Sequence, residues 1–498
     1  DNSLFSEVAS PILNELEGKL KTLRALGLEH LLLNRECATL SNGELQRLRL
    51  ATAIGSPLTG VTYIFDEPSA GLHPVDNSRL LGTLSELRDR GNTVIQIEHE
   101  LENILHSDQV IDIGPGAGVH GGELVFQGSV EELKRASYSA TGRALSEPLV
   151  FSAATIESET SSRSVEGPCL SVKNGEKNNL HGLSCALPLK KLLTVAGVSG
   201  AGKSSLVHGI IVDALVNRGD ADRVVSSDIK IDRVLVVDQQ PIGKTSRSTP
   251  ASYLGIWDQV RAIFANTIEA KSKGWGAGFF SYNTGKGRCQ SCKGAGELTL
   301  EMSFLAEARV VCESCSGRRF ASDSEAIRYR DLSPSQVLGL TFEQARTFFV
   351  NHRAIHQVAA TACDLGLSYL TLGQPSSTLS GGESQRLKLV SELNTARRGH
   401  TLYVLDEPTT GLHRSDVALL LKALRGLVTA GHSVLVIEHD SDTITHSDWV
   451  LELGPGPGDD GGRVVFEGHP AALVGSSTPW GAALRERIAL HAELGRAA

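Results

Sequence analysis

The chain has 498 residues, 41% of them apolar and 21% charged, which is the composition of globular domains rather than of disordered or fibrous chains. Its 48 Lys and Arg against 57 Asp and Glu leave a net charge of −9, so any binding of nucleic acid must rest on a local patch. No apolar run is long enough for a membrane span, the opening DNSLFSEVAS is not a secretory signal, and eight cysteines are too few for a disulfide scaffold, which together predict a cytoplasmic protein.

In chain order, some forty residues precede LSNGELQRLRL, in which Ser41 and Glu44 form an S-x-x-E capping box before a helix. A strand ending in Phe65-Asp66-Glu67 follows, then GNTVIQIEHE with His99, then DIGPGAGVHGG. Residues 136–167 are rich in Ser, Thr, Ala and Glu and are predicted as a linker. Beyond it, LLTVAG, DRVLVVD, TLYVLD and HSVLVIE are apolar runs suited to a parallel sheet buried on both faces. KSSLVHGIIVDALVN and SDVALLLKALRGLVTA read as helices between them, so the fold class is α/β.

The chain repeats itself. LSNGELQRLRL returns as LSGGESQRLKL 339 residues later, and YIFDEPSAGLH returns as YVLDEPTTGLH at an offset of 340. GNTVIQIEHE and DIGPGAGVHGG recur as GHSVLVIEHD and ELGPGPGDDGG at that same offset of 340. The protein is a tandem duplication, with the first copy at 1–135 expected to be incomplete and the second at 168–475, followed by a tail at 476–498.

Gly197-Val-Ser199-Gly200-Ala201-Gly202-Lys203-Ser204, followed by Ser205, matches G-x-x-x-x-G-K-[ST] between a strand and a helix. The glycines let backbone amides converge on phosphate, aided by the positive helix end. Lys203 is expected on the β- and γ-phosphates, and Ser204 on Mg²⁺. A glycine-rich structural turn is the bland alternative. Asp406-Glu407 and Asp66-Glu67 end apolar strands; such an Asp can hold Mg²⁺, and the Glu can act as general base. Either pair alone could simply be an Asp-Glu-Pro turn. Capping explains Ser380 and Glu383, but not the glycines 381 and 382, whose bare amides suit an anion.

Cys289-x2-Cys292, then Cys312-x2-Cys315 after nineteen intervening residues, is a four-thiolate zinc pattern, with a redox-active C-x-x-C as the alternative. Cys37, Cys169, Cys185 and Cys363 are isolated and are expected in the core. Between Lys271 and Arg330 ten Lys and Arg face six Asp and Glu, a local +4 that makes this module a nucleic-acid candidate. Scattered surface charge is the alternative.

Together VSGAGKSSLV, VDQQPIGKTSRSTPASYLG, GRCQSCKGAGELTLEMSFL, TLSGGESQRLKL and LYVLDEPTTGLH resemble the UvrA family, the damage-sensing ATPases of bacterial nucleotide-excision repair, over most of residues 20–470. The resemblance implies tandem ABC-type P-loop ATPase domains with an inserted zinc module at 285–320, inside a signature region at 246–394. It implies ATP, Mg²⁺ and Zn²⁺ as cofactors. Gln239 would couple nucleotide to the signature region, and His439 and His99 would be switch histidines. Ser41 and Gly43 would complete the ATP site of the second copy, where Asn42 replaces the family's glycine and predicts slow turnover. The opposite site would combine Asp66, Glu67 and His99 with Ser380 to Glu383, awaiting a phosphate loop. Damaged duplex DNA and the excinuclease B subunit are the implied partners, with a homodimer or a chain supplying the missing N-terminal half. Self-resistance to a DNA-binding drug, or a non-catalytic remnant, are the alternative functions.

Overall fold

A six-stranded sheet forms where the apolar runs predict it. The computed structural model describes residues 2–29, 31–37, 42–54, 58–69, 71–116, 118–146, 167–217, 224–243, 245–300, 308–395 and 399–497. The strands of the first copy are β1 (Thr62–Asp66), β2 (Thr93–Ile97), β3 (Val110–Gly114) and β4 (Glu123–Gly128). Those of the second are β5 (Cys169–Lys177), β6 (Leu180–Pro188), β7 (Leu192–Gly197), β8 (Val225–Ser227), β9 (Arg233–Val237), β10 (Glu297–Leu300), β11 (Ala308–Val311), β12 (Thr401–Asp406), β13 (Ser433–Ile437), β14 (Trp449–Gly454) and β15 (Arg463–Gly468).

The large sheet runs β15-β14-β7-β13-β12-β9, with β14, β7, β13 and β12 parallel and β15 antiparallel at one edge. Its central strands are buried on both faces, which is why their sequences do not alternate. An antiparallel sheet β6-β5-β8 contributes Leu170, Val172 and Leu187 to the same core. The helix after the phosphate loop runs from Lys203 to Asn217 and contains a π segment at Val207–Val212.

β1 to β4 of the first copy repeat β12 to β15 of the second, with fewer neighbours. β1 pairs with β2 in parallel and β3 with β4 antiparallel, and among the described residues no strand stands between β2 and β3. In the second copy β7 fills that slot. Ile64, Ile97, Ile111 and Ile113 are each more than half exposed, whereas their counterparts Val404, Ile437, Leu451 and Leu453 are at most 1% exposed. The apolar pattern is inherited, but its covering is not among the described residues.

The molecule divides into two compact units. Unit 1 comprises Asp1–Gly116, His120–Val236 and Gly399–Ala498, so it holds the first copy together with the nucleotide core of the second. Unit 2 comprises Ala117–Val119 and Val237–Arg398, close to the expected signature region. Its core is aromatic: Trp257, Phe264, Phe280, Tyr282 and Phe320 are buried, with Trp257 Nε1 donating to the Phe280 carbonyl at 3.2 Å. No helix among the described residues is long and apolar enough to cross a membrane.

Two sequence expectations need correction. The stretch from 136 is not linker throughout, because a helix at Ala140–Ser146 buries Ala144 and Leu145 against Leu133 and Leu101; the rest of the expected linker, 147–166, lies outside the described residues. The expected tail at 476–498 contains a helix, Pro479–Ala497, whose Trp480 and Leu484 are fully buried beside Ile444 and Val450. Cys37 is exposed rather than in the core.

Candidate functional site

The phosphate loop leaves β7 at the centre of the large sheet. Gly197, Gly200 and Gly202 have φ of 141°, 76° and 101°, values that L side chains rarely adopt. Ala201 is fully buried, and its carbonyl accepts from Gly462 at 3.0 Å. Asn179 Nδ2 donates to the Gly200 carbonyl at 3.2 Å, while Asn178 Nδ2 donates to Ser205 Oγ at 2.9 Å. Lys203 is buried and donates to the Gly197 and Val198 carbonyls, each at 2.9 Å. Burial pulls its pKa down to about 8, against the attraction of Glu407, Asp406 and Asp76. A buried ammonium whose hydrogen bonds among the described residues go to neutral carbonyls fits an anionic ligand on the loop. Ser204 is exposed at the start of the helix, available to a cation.

The strand-end carboxylates lie beside this loop. Asp406 Oδ2 is 3.4 Å from His208 Nε2, and its charge acts on Lys203. Glu407 has φ of +44°, as its counterpart Glu67 has +46°, and each donates its N–H to the neighbouring strand end, Ile437 or Ile97, at 2.9 Å. Burial and Asp406 push the Glu407 carboxyl up to about 7, with Lys203 and Arg47 opposing. That is the range a general base needs. His439 Nε2 lies 3.8 Å from Glu407 Oε1, and His99 Nδ1 lies 3.7 Å from Glu67 Oε1. Burial, then Lys203, His73 and Arg47, hold His439 well below its ordinary pKa, so its imidazole is neutral.

Four residues of this region were not singled out from the sequence. Glu438, buried at the end of β13, accepts from the Thr409 amide (2.9 Å), Thr409 Oγ1 (2.6 Å), the His439 amide (2.7 Å) and the Asp440 amide (3.1 Å). Glu98 repeats the arrangement with the amides of Ser69 at 3.0 Å and His99 at 3.2 Å. Both are visible in the repeated I-E-H, where the acid precedes the switch histidine. Arg47 and Asp76 of the first copy reach the phosphate loop of the second: Arg47 Nη2 donates to Ser199 Oγ at 3.0 Å, and Asp76 accepts from the Ser199 amide. No local sequence signal marks that pairing.

The two copies also exchange glycines. A Cβ on Gly71 of the first copy would lie 2.8 Å from Glu407 Oε2, and one on Gly411 of the second would lie 3.2 Å from Glu67 Oε1. Each DEP-x-x-G loop therefore lies against the glutamate of the other copy. His73, fully buried, caps the following helix through Nδ1 and meets Trp480 edge-on at 4.7 Å.

The signature residues fall in different places. Ser41 lies outside the described residues, and Gly43 is in the first turn of the helix Asn42–Ile54 in unit 1. Ser380 caps its helix in unit 2 with the predicted reciprocal box, Ser380 N–H to Glu383 Oε2 at 2.8 Å and Glu383 N–H to Ser380 Oγ at 3.1 Å. Gln239 also lies in unit 2, its Oε1 3.0 Å from where a Cβ of Gly381 would stand. It is thus placed with the signature helix of its own copy.

The four cysteines come together. All are buried, with Cys289 Sγ 4.0 Å from Cys312 Sγ, Cys292 Sγ 3.7 Å from Cys315 Sγ, and all four sulfurs within 4.8 Å of one another. Zinc–sulfur bonds of about 2.3 Å in a tetrahedron put sulfurs about 3.8 Å apart, so the set fits the metal. The Gly296 amide points at Cys292 Sγ at 3.3 Å, a contact that favours thiolate. β10 and β11 extend from the cluster as a hairpin.

The basic residues around it are not equivalent. Lys286 and Arg318 are exposed, and Arg288 is half-buried. Arg319 is 7% exposed, donates to the carbonyls of Ser246 and Gly373 at 3.1 Å each, and lies over Tyr282. Its charge therefore belongs to the core of unit 2. Nearby, Trp275 stacks on Phe279 at 4.0 Å, with Lys273 Nζ 4.4 Å above the Trp275 ring.

With the geometry in place, comparison with known proteins is specific. The model of the ABC transporter family matches residues 180–410. The chain is 44% identical to UvrABC system protein A of Thermus thermophilus over 500 residues, 99% of this chain and 52% of that protein. It is 46% identical to UvrABC system protein A of Mycobacterium bovis over 483 residues, 95% of this chain and 49% of that protein. The crystal structure of UvrA2 from Deinococcus radiodurans superposes with a TM-score of 0.87 at 43% identity, covering 94% of this chain and 57% of that one. The chain thus spans about half the length of the curated relatives it matches.

Proposed function

Because the chain belongs to the UvrA family, we propose that it is an ABC-type ATPase that binds damaged duplex DNA in nucleotide-excision repair. The observation that carries this reading is the convergence in unit 1 of Lys203, Glu407 and His439 from the second copy with Arg47, Asp76 and Gly71 from the first. In this reading the backbone of the loop from Gly197 to Ser205 holds the phosphates of ATP, and Lys203 leaves its carbonyl partners for them. Ser204 and Asp406 hold Mg²⁺, which supplies charge neutralisation for the phosphates. Glu407 takes a proton from the attacking water, while His439, neutral and oriented through Glu438, donates toward the terminal phosphate. Ser41 and Gly43 close the site from the first copy, and Gln239 relays its state to the signature region. Turnover is slow because Asn42 stands in a position that favours glycine.

Cys289, Cys292, Cys312 and Cys315 hold zinc and stiffen the base of the β10–β11 hairpin, which with Lys286, Arg288 and Arg318 touches the DNA backbone. The excinuclease B subunit is the protein partner, and the setting is cytoplasmic. Further polypeptide, from another chain or the rest of a longer protein, completes the first copy; the exposed isoleucines of β1 to β3 support this. Homodimer formation is the other assembly this reading allows. Measuring ATP turnover with intact and damaged duplexes tests the proposal: damaged DNA should alter the rate, and Lys203→Ala should abolish nucleotide binding. Unaltered nucleotide binding by Lys203→Ala would remove the reading.

A further inference from the structure

Arg47 and Arg386 occupy the same position in the two signature helices, and they are satisfied differently. Arg386 in unit 2 is a structural residue: Nη1 donates to the Leu365 carbonyl at 3.2 Å and Nε to the Gly382 carbonyl at 3.4 Å. Arg47 is equally enclosed, 3% exposed against 5%. Among the described residues its Nη2 bonds to Ser199 Oγ of the phosphate loop, and its buried Nε and Nη1 have no hydrogen-bond partner there. A buried guanidinium with two idle nitrogens is costly and is unusual unless an anion completes it.

The surroundings define where that anion would sit. Burial lowers the pKa of the guanidinium, with the carboxylates of Asp76, Glu44, Glu407 and Glu29 opposing. Its charge in turn acts on Lys203, on Glu407 and on His439, the groups assigned above to the terminal phosphate, water and switch. Through its bond to Ser199, Arg47 reaches from the first copy to the phosphate loop that carries Lys203.

We propose that Arg47 is a phosphate ligand supplied by the first copy to the second copy's nucleotide site, its Nε and Nη1 donating to the terminal phosphate of a nucleoside triphosphate. This rests on the ATPase reading and names one more binding residue for it. A planar pair of donors suits two phosphate oxygens, which an ammonium cannot match. Because the terminal phosphate is lost in the diphosphate, Arg47 provides a means by which the two halves distinguish the nucleotide before from that after hydrolysis.

The test is equilibrium binding of fluorescent ATP and ADP analogues to the full chain and to Arg47→Gln, Arg47→Lys and Lys203→Ala. Lys203→Ala examines the ATPase reading alone; retained binding there refutes that reading and leaves Arg47 without a site. With binding lost in Lys203→Ala, the proposal expects Arg47→Gln to weaken ATP by at least about tenfold while ADP changes less than about threefold, as loss of charge-assisted bonds to one phosphate requires. Arg47→Lys should recover part of the ATP affinity. A merely structural role would lower thermal stability and weaken both nucleotides alike. Equal effects on ATP and ADP, or no effect on either, overturn the proposal. Should Arg47→Gln fail to fold, the ATP-to-ADP ratio of Arg47→Lys decides by the same criterion.

Discussion

The exchange of glycines between the copies can be tested by adding a single methyl group on each side. Gly71 has φ of +69° and Gly411 has φ of +72°, so alanine at either position carries the same backbone cost, about 1 kcal/mol. The added methyls meet different neighbours. At 71 the Cβ would stand 2.8 Å from Glu407 Oε2 and 3.1 Å from Oε1, whereas at 411 it would stand 3.2 Å and 3.4 Å from the Glu67 oxygens. Restoring ordinary contact in Gly71→Ala displaces the Glu407 carboxylate by about 0.6 Å. Since misplacement of a reacting group by about 1 Å costs on the order of 100-fold in rate, this shift should cost about tenfold.

The assay compares kcat for ATP and melting temperature in Gly71→Ala and Gly411→Ala. The melting temperatures should fall by similar amounts, and kcat should fall about tenfold in Gly71→Ala and much less in Gly411→Ala. Equal losses of kcat would refute the reasoning, because the two variants share backbone strain and differ in which glutamate they displace.

The remaining predictions concern protons, metal and DNA. Glu407 must be ionised to accept a proton and is held near pH 7, so kcat/KM for MgATP should fall about tenfold per unit below that pH; a flat profile from pH 6 to 8 would contradict its role as base. Metal analysis should find one zinc per chain, released by acid or a strong chelator with loss of order in unit 2; metal-free protein with four reactive thiols, purified without chelators, would remove the assignment. Neutralising Lys286, Arg288 and Arg318 together should weaken DNA binding similarly for all sequences and reduce its salt slope by about 2 to 3. Arg319 is left intact in that variant because it supports the core, and an unchanged slope would place the DNA surface elsewhere.

What was legible in the sequence is what ligand chemistry fixes over short spans. The phosphate loop and the paired C-x2-C motifs were picked out by spacing and Asp406-Glu407 by its repetition in both copies, and the structure brings the four sulfurs together. The strands of the large sheet were legible because a strand buried on both faces must be apolar throughout. Long-range pairing was not. Arg47 and Ser199 are 152 positions apart, and nothing in either neighbourhood specifies the other. Arg319 reads as a surface charge until Ser246, Gly373 and Tyr282 enclose it. The helix at Ala140–Ser146 was hidden by small polar residues that usually mark linkers, although Ala144 and Leu145 suffice to bury it.

The duplication shows how one motif acquires two roles. Glu67 and Glu407 have the same strained φ, the same bond to a neighbouring strand end and the same histidine within 4 Å. Their immediate geometry therefore cannot decide which one serves turnover. The difference lies in what each has beside it in unit 1. Glu407 has Lys203, Asp406 and Arg47 acting on its charge, whereas Glu67 has His99, Asp66 and Glu98. Cations beside Glu407 favour its ionised form and also an anionic ligand; around Glu67 two carboxylates oppose a single imidazole. In the proposed reading, activity follows the placement of two cations, Lys203 and Arg47, one from each copy. On that reading the site depends on both copies even though the phosphate loop is contributed by the second.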